Sequence, residues 1–240
     1  MSENGNTLCY VIKVEKKAVN FIDHILKVNK NMSKLKWLRL IASSSLFWRF
    51  RHFFQSGISS YGATKDNSFI INLISTSKIS SVLDFGCAAG YDLERIKNLN
   101  KNIVVYGVDI NTKSIKSCTT RFTSKFQDGF FFSTKLDRNE LKIFLDRNNI
   151  SKIDLVIIDR VFYCFNERNI DETLETLSPF ANMIFIDDFY DEGDLYIGYT
   201  HRCWDNILKR HNYSAHINIE TIHNTVDHAN ARTMVYKKGV

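Results

Sequence analysis

The stretch Ser81-Val-Leu-Asp-Phe-Gly-Cys-Ala-Ala-Gly-Tyr91 constrains this chain more than any other. An apolar strand runs straight into a turn containing Gly86 and Gly90, after which Leu93, Ile96 and Leu99 recur at the spacing of one helical face. Strand, glycine turn and helix in that order open a doubly wound α/β sheet. The turn then falls at the carboxyl edge of the sheet, where such folds bind ligands. Glycine at both positions allows a sharp reversal and a close backbone approach to whatever is bound.

The next strand, Val104-Val-Tyr-Gly-Val-Asp-Ile110, ends in Asp109 one strand-helix-strand unit later. An acid at that place is positioned to accept both hydroxyl protons of a ribose. Strands are expected at Ser81 to Phe85, Ile103 to Asp109, Phe126 to Phe132, Ile153 to Asp159, Met183 to Asp187, Ala215 to Glu220 and Ala231 to Lys237. Ile170, Leu174 and Leu177 form a second helical face between them, and a further helix is expected around Trp204, Ile207 and Leu208. Alternation of strand and helix implies a parallel sheet with right-handed crossovers, while the two closely spaced final strands imply antiparallel pairing. The expected fold is α/β: a Rossmann-like, doubly wound, seven-stranded, mostly parallel sheet with an antiparallel edge strand over 67–240. A helical N-terminal extension and linker over 1–66 precede it.

Within that extension, 34–54 interleaves Trp37, Leu40, Ile41, Phe47, Trp48, Phe50, Phe53 and Phe54 with Lys36, Arg39, Arg49 and Arg51. This fits a helix pair packed on the main domain with its charges solvated, or a basic amphipathic helix making a peripheral membrane contact. The formal charge of +6 comes largely from lysines and arginines ahead of the glycine turn. At 240 residues, 44% hydrophobic and 24% charged, the composition is that of an ordinary globular protein, and no apolar run approaches the roughly 20 residues needed to span a bilayer. Five scattered cysteines with no C-x-x-C, and no apolar leader in the first residues, lead to the expectation of a reduced, cytoplasmic protein.

The turn also discriminates between nucleoside cofactors. A dinucleotide site calls for G-x-G-x-x-G with a helix N-terminus open to a pyrophosphate. Here the turn is Gly-Cys-Ala-Ala-Gly, and Asp84 stands immediately before it. A carboxylate there repels a pyrophosphate but suits the cationic sulfonium and amino group of S-adenosylmethionine. With these residues in view, V-L-D-F-G-C-A-A-G-Y followed by G-V-D-I resembles the first two motifs of class I S-adenosylmethionine-dependent methyltransferases. The family pattern is acid-x-G-x-G-x-G, from which this chain departs by having Ala88 at the middle glycine. The resemblance implies that Asp84, Gly86, Cys87, Ala88, Gly90 and Tyr91 surround the methionine part of the cofactor, that Asp109 and Ile110 hold the ribose, and that Asp128 meets the adenine amino group, with Ser133 as the other candidate.

Two further strands end in acids at the same sheet edge: Asp159 after the fourth, Asp187 and Asp188 at the end of the fifth. Three carboxylates together require protonation or a cation, and an all-oxygen donor set favours Mg²⁺ or another hard divalent ion. The pattern Asp159, Tyr163, Asp171 and Ile186-Asp-Asp-Phe-Tyr190 is similar to metal-dependent O-methyltransferases that act on sugar rings. That resemblance implies a metal held by Asp159, Asp187 and Asp188 that binds two neighbouring hydroxyls and lowers the pKa of one. Arg160, Val161 and Phe162 occupy the positions where that group tends to supply a base, so His201 is the candidate for proton removal, with Asp159 beside it.

The expected function is O-methylation of a small polar acceptor such as a sugar or glycan hydroxyl, with metal assistance. An alternative is a nucleic-acid (RNA) methyltransferase, suggested by the basic balance and by aromatics such as Phe53 and Phe54. Against it, Asp159-Arg-Val-Phe is not the Asp/Asn-Pro-Pro-aromatic loop of base N-methylating enzymes. A third reading is a non-catalytic protein that binds S-adenosylmethionine.

Overall fold

A computed structural model describes residues 68–126, 130–133, 138–162, 165–189, 202–219 and 231–239. The extension expected over 1–66, including 34–54, lies outside the described residues, as do Asp128 and His201.

Six helices and seven strands are described: α1 (Ser68–Thr76), β1 (Ser81–Phe85), α2 (Tyr91–Leu99), β2 (Val104–Asp109), α3 (Thr112–Phe126), β3 (Phe130–Ser133), α4 (Arg138–Arg147), β4 (Ile153–Asp159), α5 (Glu167–Leu177), β5 (Ala181–Phe189), α6 (Trp204–Arg210), β6 (Tyr213–Ile219) and β7 (Ala231–Lys238). They build one sheet in the order β3-β2-β1-β4-β5-β7-β6. Strands β1 to β5 pair in parallel, and β7 lies antiparallel to both β5 and β6. This is the Rossmann-like, mostly parallel sheet expected from the sequence. The order reverses between β1 and β4, and that reversal is the switch point at which doubly wound sheets take their ligands.

Side-chain alternation along the central strands sorts the core into two halves. On one face Val82, Val105, Leu155, Ile157 and Phe185 pack with Ile70 of α1, Leu93 and Ile96 of α2, and Ile115 and Phe122 of α3. On the other, Leu83, Phe85, Val156, Ile158, Ile184 and Ile186 pack with Leu141 and Phe144 of α4, Ile170 and Leu174 of α5, and Trp204 and Leu208 of α6. A central strand must therefore be apolar on both sides, which is why β1 and β4 read as continuous hydrophobic runs.

Local chemistry fixes the helix ends. Asn166 caps α5 by accepting the Asn169 N–H at 2.8 Å, and α2 carries Asp92 and Glu94 in its first turn, where the helix dipole favours negative charge. The start of β3 differs from the sequence reading. Phe126 belongs to the last turn of α3, where it packs 5.2 Å from Phe122 rather than opening β3. The aromatic-rich run ahead of Phe132 favours a strand locally, but Ile115, Cys118 and Phe122 bury one side of a helix through that point.

Candidate active site

The turn after β1 is wound through three left-handed residues, Gly86 (φ +93°), Ala88 (φ +45°) and Gly90 (φ +71°). Ala88, at the place of the family's middle glycine, takes the glycine conformation at a cost of about 1 kcal/mol. Hydrogen bonds hold it there. The Gly86 and Cys87 amides donate to Val108 O at 2.8 and 3.0 Å, Gly90 N to Cys87 O at 2.7 Å, and Ala88 N to Asp109 Oδ2 at 2.9 Å. The other oxygen of Asp109 accepts Asn111 N–H at 2.7 Å. Thus the acid that ends β2 is oriented from both sides, one of which is the turn itself. Ile110 follows directly, half-buried.

Neither glycine tolerates a side chain. A Cβ on Gly90 would come within 2.5 Å of Cys118 Sγ, and one on Gly86 would overlap Val161, which follows β4. The turn is thereby packed between α3 and the segment after β4. Cys87, buried against Gly107, has its thiol pushed up by its hydrogen bond with Cys118, by burial, and by Asp84.

Alternation places Asp109, Asp84, Asp159 and Asp187 on the same face of four adjacent strands, the face covered by α1 to α3. The register supports this: Asp84 pairs with Gly107 and Ile157, two residues before Asp109 and Asp159, and Asp159 pairs with Asp187. Asp84 is 5% exposed, and its pKa is held well above the carboxylate range by desolvation, then by the charges of Asp92 and Asp159. A row of acids at the switch point, three of them buried and Asp159 half-buried, is an environment that favours a cation.

The residues expected to hold a metal are not brought together as one donor set. Strand β5 continues in register with β7 through Asp188 to Phe189, so Asp187 and Asp188 point to opposite faces of the sheet. Asp187 is occupied by Arg160, whose Nε donates to Asp187 Oδ1 at 2.8 Å and whose amide donates to Asp187 O at 2.9 Å. Thr233 of β7 donates to Asp187 Oδ2 at 3.4 Å. Among the described residues no group of three or more His, Cys, Asp or Glu side chains is arranged to hold a metal ion. The positive charge that the acids demand comes instead from a guanidinium. Burial works against the charge of Arg160, but Asp187, Asp159 and Asp188 outweigh it and raise its pKa.

Arg160 itself takes φ +55°, a left-handed arginine at the carboxyl end of β4. Sequence reasoning had noted it only as standing where a base was wanted. The available signal was an arginine immediately after Asp159, in a site otherwise overloaded with acids. Two other contributors, Cys118 and Arg121 of α3, had no local signal, because their contacts with the turn span 30 and 32 residues.

Comparison with known proteins agrees with this geometry. A family model described as "Methyltransferase domain" matches residues 76–228, well over half of the chain. No curated protein sequence matches the chain significantly. Among solved structures, magnesium protoporphyrin IX methyltransferase from Synechocystis PCC 6803, with bound S-adenosylmethionine, superimposes with a TM-score of 0.57 at 17% identity, covering 87% of this chain and 98% of that one. The methyltransferase domain of a bacterial CtHen1 gives 0.54 at 15% identity over 72% of this chain and 96% of that one. A protein described as a putative O-methyltransferase from Nostoc punctiforme PCC 73102 gives 0.55 at 13% identity, covering 71% and 55%. The chain belongs to the methyltransferase-domain family. It is a class I, S-adenosylmethionine-dependent methyltransferase.

Proposed function

We propose that this methyltransferase transfers its methyl group to an oxygen of a small polar acceptor, such as a sugar or glycan hydroxyl. The observation that carries the reading is the row of acids at the switch point, buried Asp109, Asp84 and Asp187 with half-buried Asp159, and Arg160 as its counter-charge. Asp84, Gly86, Cys87, Ala88, Gly90 and Tyr91 surround the methionine part of S-adenosylmethionine, Asp109 and Ile110 the ribose, and Asp128 the adenine. When bound, the donor supplies an electrophilic methyl group on a cationic sulfur. Asp84 faces that positive charge and is drawn back to its ionised form by it.

On the acceptor side, Asp159 shares the face of Asp84 one strand away and is the described group suited to receive a hydroxyl proton; His201 is the second candidate base. Arg160 pairs with Asp187 and fixes it at the same edge. Because Asp187 and Asp188 diverge and Asp187 holds Arg160, the donor set does not fit a divalent ion, and no step uses one. Solved neighbours described as O-methyltransferases support oxygen as the acceptor atom.

The test is calorimetric titration with S-adenosylhomocysteine, followed by transfer of labelled methyl from S-adenosylmethionine to a panel of polyhydroxylated sugars, carboxylic acids and RNA oligonucleotides. Labelling of the sugars, abolished by Asp159→Asn in a variant that still binds S-adenosylhomocysteine, is the expected result. Labelling confined to the acids or the RNA would overturn the acceptor class.

A further inference from the structure

The turn that presents the donor site is strained at Ala88, and the hydrogen bonds its amides donate to Val108 and Asp109 account only for its sheet side. On its outer side, two carbonyls of the turn are engaged from α3. Cys118 Sγ lies 3.5 Å from Ala88 O, and the Arg121 guanidinium donates through Nη2 to Ala89 O. One helical turn separates Cys118 from Arg121, so a single face of α3 contacts consecutive carbonyls of the turn.

Arg121 makes two further contacts that lead back to the same segment. Its Nε pairs with Glu94 Oε2 at 2.9 Å, with only 19% and 13% of the two side chains exposed. Its guanidinium carbon stacks 4.3 Å from the centre of the Tyr91 ring. Lys125, one turn further along α3, closes on the other Glu94 oxygen. Glu94 in turn sits on the first turn of α2, with its amide on Gly90 O at 3.0 Å. One guanidinium therefore bridges the turn (Ala89), the first residue of the following helix (Tyr91) and that helix's first turn (Glu94). A planar fork with several donors and a stackable face can do this, and a point charge cannot.

We propose that Arg121 is a positioning residue of the donor site. By fixing Ala89, Tyr91 and Glu94 relative to α3, it holds the Gly86 to Tyr91 turn in the shape that receives the methionine part of S-adenosylmethionine. The inference rests on the assignment of that turn to the methionine part and of Asp109 to the ribose. Arg121 acts through the turn and not on the nucleoside, so its loss weakens ligands that carry the homocysteine moiety and spares those that do not. A general loss of stability would weaken both alike.

The experiment is calorimetric titration of the full chain with S-adenosylhomocysteine and, separately, with adenosine. Arg121→Ala is expected to weaken S-adenosylhomocysteine about tenfold while adenosine changes by less than about twofold. Arg121→Lys, which keeps the charge for Glu94 but neither the fork nor the stacking, is expected to fall between wild type and Arg121→Ala, and it carries the comparison if the alanine variant does not fold. Unchanged S-adenosylhomocysteine affinity, or equal weakening of both ligands, would overturn the proposal. Asp109→Ala, measured alongside, reports on the underlying assignment: it loses both ligands if Asp109 holds the ribose. Retention of both would count against that assignment, whatever the Arg121 variants do.

Discussion

At the end of β1, Asp84 is buried beside Asp92, Asp159 and Asp109, with its pKa well above the ordinary 3.8. The folded chain thus binds this proton more tightly than the unfolded chain does. Its contribution to stability is fully present below pH 3.8 and is lost as pH rises through the folded value. Asp84→Asn is accordingly expected to raise the melting temperature of the ligand-free protein by a few degrees at neutral pH and to have no such effect below about pH 4, as thermal denaturation across pH would show. A cation bound at Asp84 reverses the preference and expels the proton. The affinity for S-adenosylmethionine should therefore rise with pH more steeply than that for S-adenosylhomocysteine, whose sulfur is neutral, and Asp84→Asn should flatten the difference. The second charged feature of the rim is the pair of Arg160 with Asp187, whose side chains are only 12% and 5% exposed. Arg160→Ala leaves a buried carboxylate uncompensated, for which about 3 kcal/mol is the scale. Arg160→Gly removes the same guanidinium but relieves the φ of +55°, so it is expected to be about 1 kcal/mol more stable than the alanine variant in denaturant titration.

Secondary-structure elements were legible in the sequence wherever their pattern was local. The two-sided apolar runs of β1 and β4 and the spacing of Ile170, Leu174 and Leu177 on α5 each contain their own evidence, and each became the element expected. The glycine turn and Asp109 were legible for the same reason, because strand, turn and acid follow one another in fixed order. What failed depended on partners remote in sequence. The Asp187-Asp188 pair looked like a strand end, but pairing of Asp188 with Arg232 and of Phe189 with Ala231 extends β5 past it and splits the two carboxylates between faces. Similarly, nothing near Tyr91 announces Arg121. On the opposite face, α6 is short and owes its place to Trp204, which is fully buried and stacks on Phe162 at 5.7 Å. Trp204→Ala is expected to cost about 3–5 kcal/mol in equilibrium unfolding. It leaves the turn after β1 untouched, so S-adenosylhomocysteine affinity should survive at temperatures where the variant is folded.

For the whole molecule, the proposed donor site draws on the carboxyl ends of several strands, so occupancy and global stability are linked. S-adenosylhomocysteine at about 100 times its dissociation constant contributes about 2.7 kcal/mol, which for a chain of this size corresponds to a rise in melting temperature of about 5–10 °C. The rise should disappear in Asp109→Ala, and thermal shift measurements read both. The sheet order has another consequence, for how the molecule is made. Although β7 follows β6 in sequence, it lies between β5 and β6. A chain emerging from the ribosome produces β6 before anything exists for it to pair with, and the edge of β5 stays open until β7 has also emerged. Vectorial synthesis thus leaves β6 and the open edge of β5 both unprotected through the connection at 220–230, because each waits for the same last strand, β7.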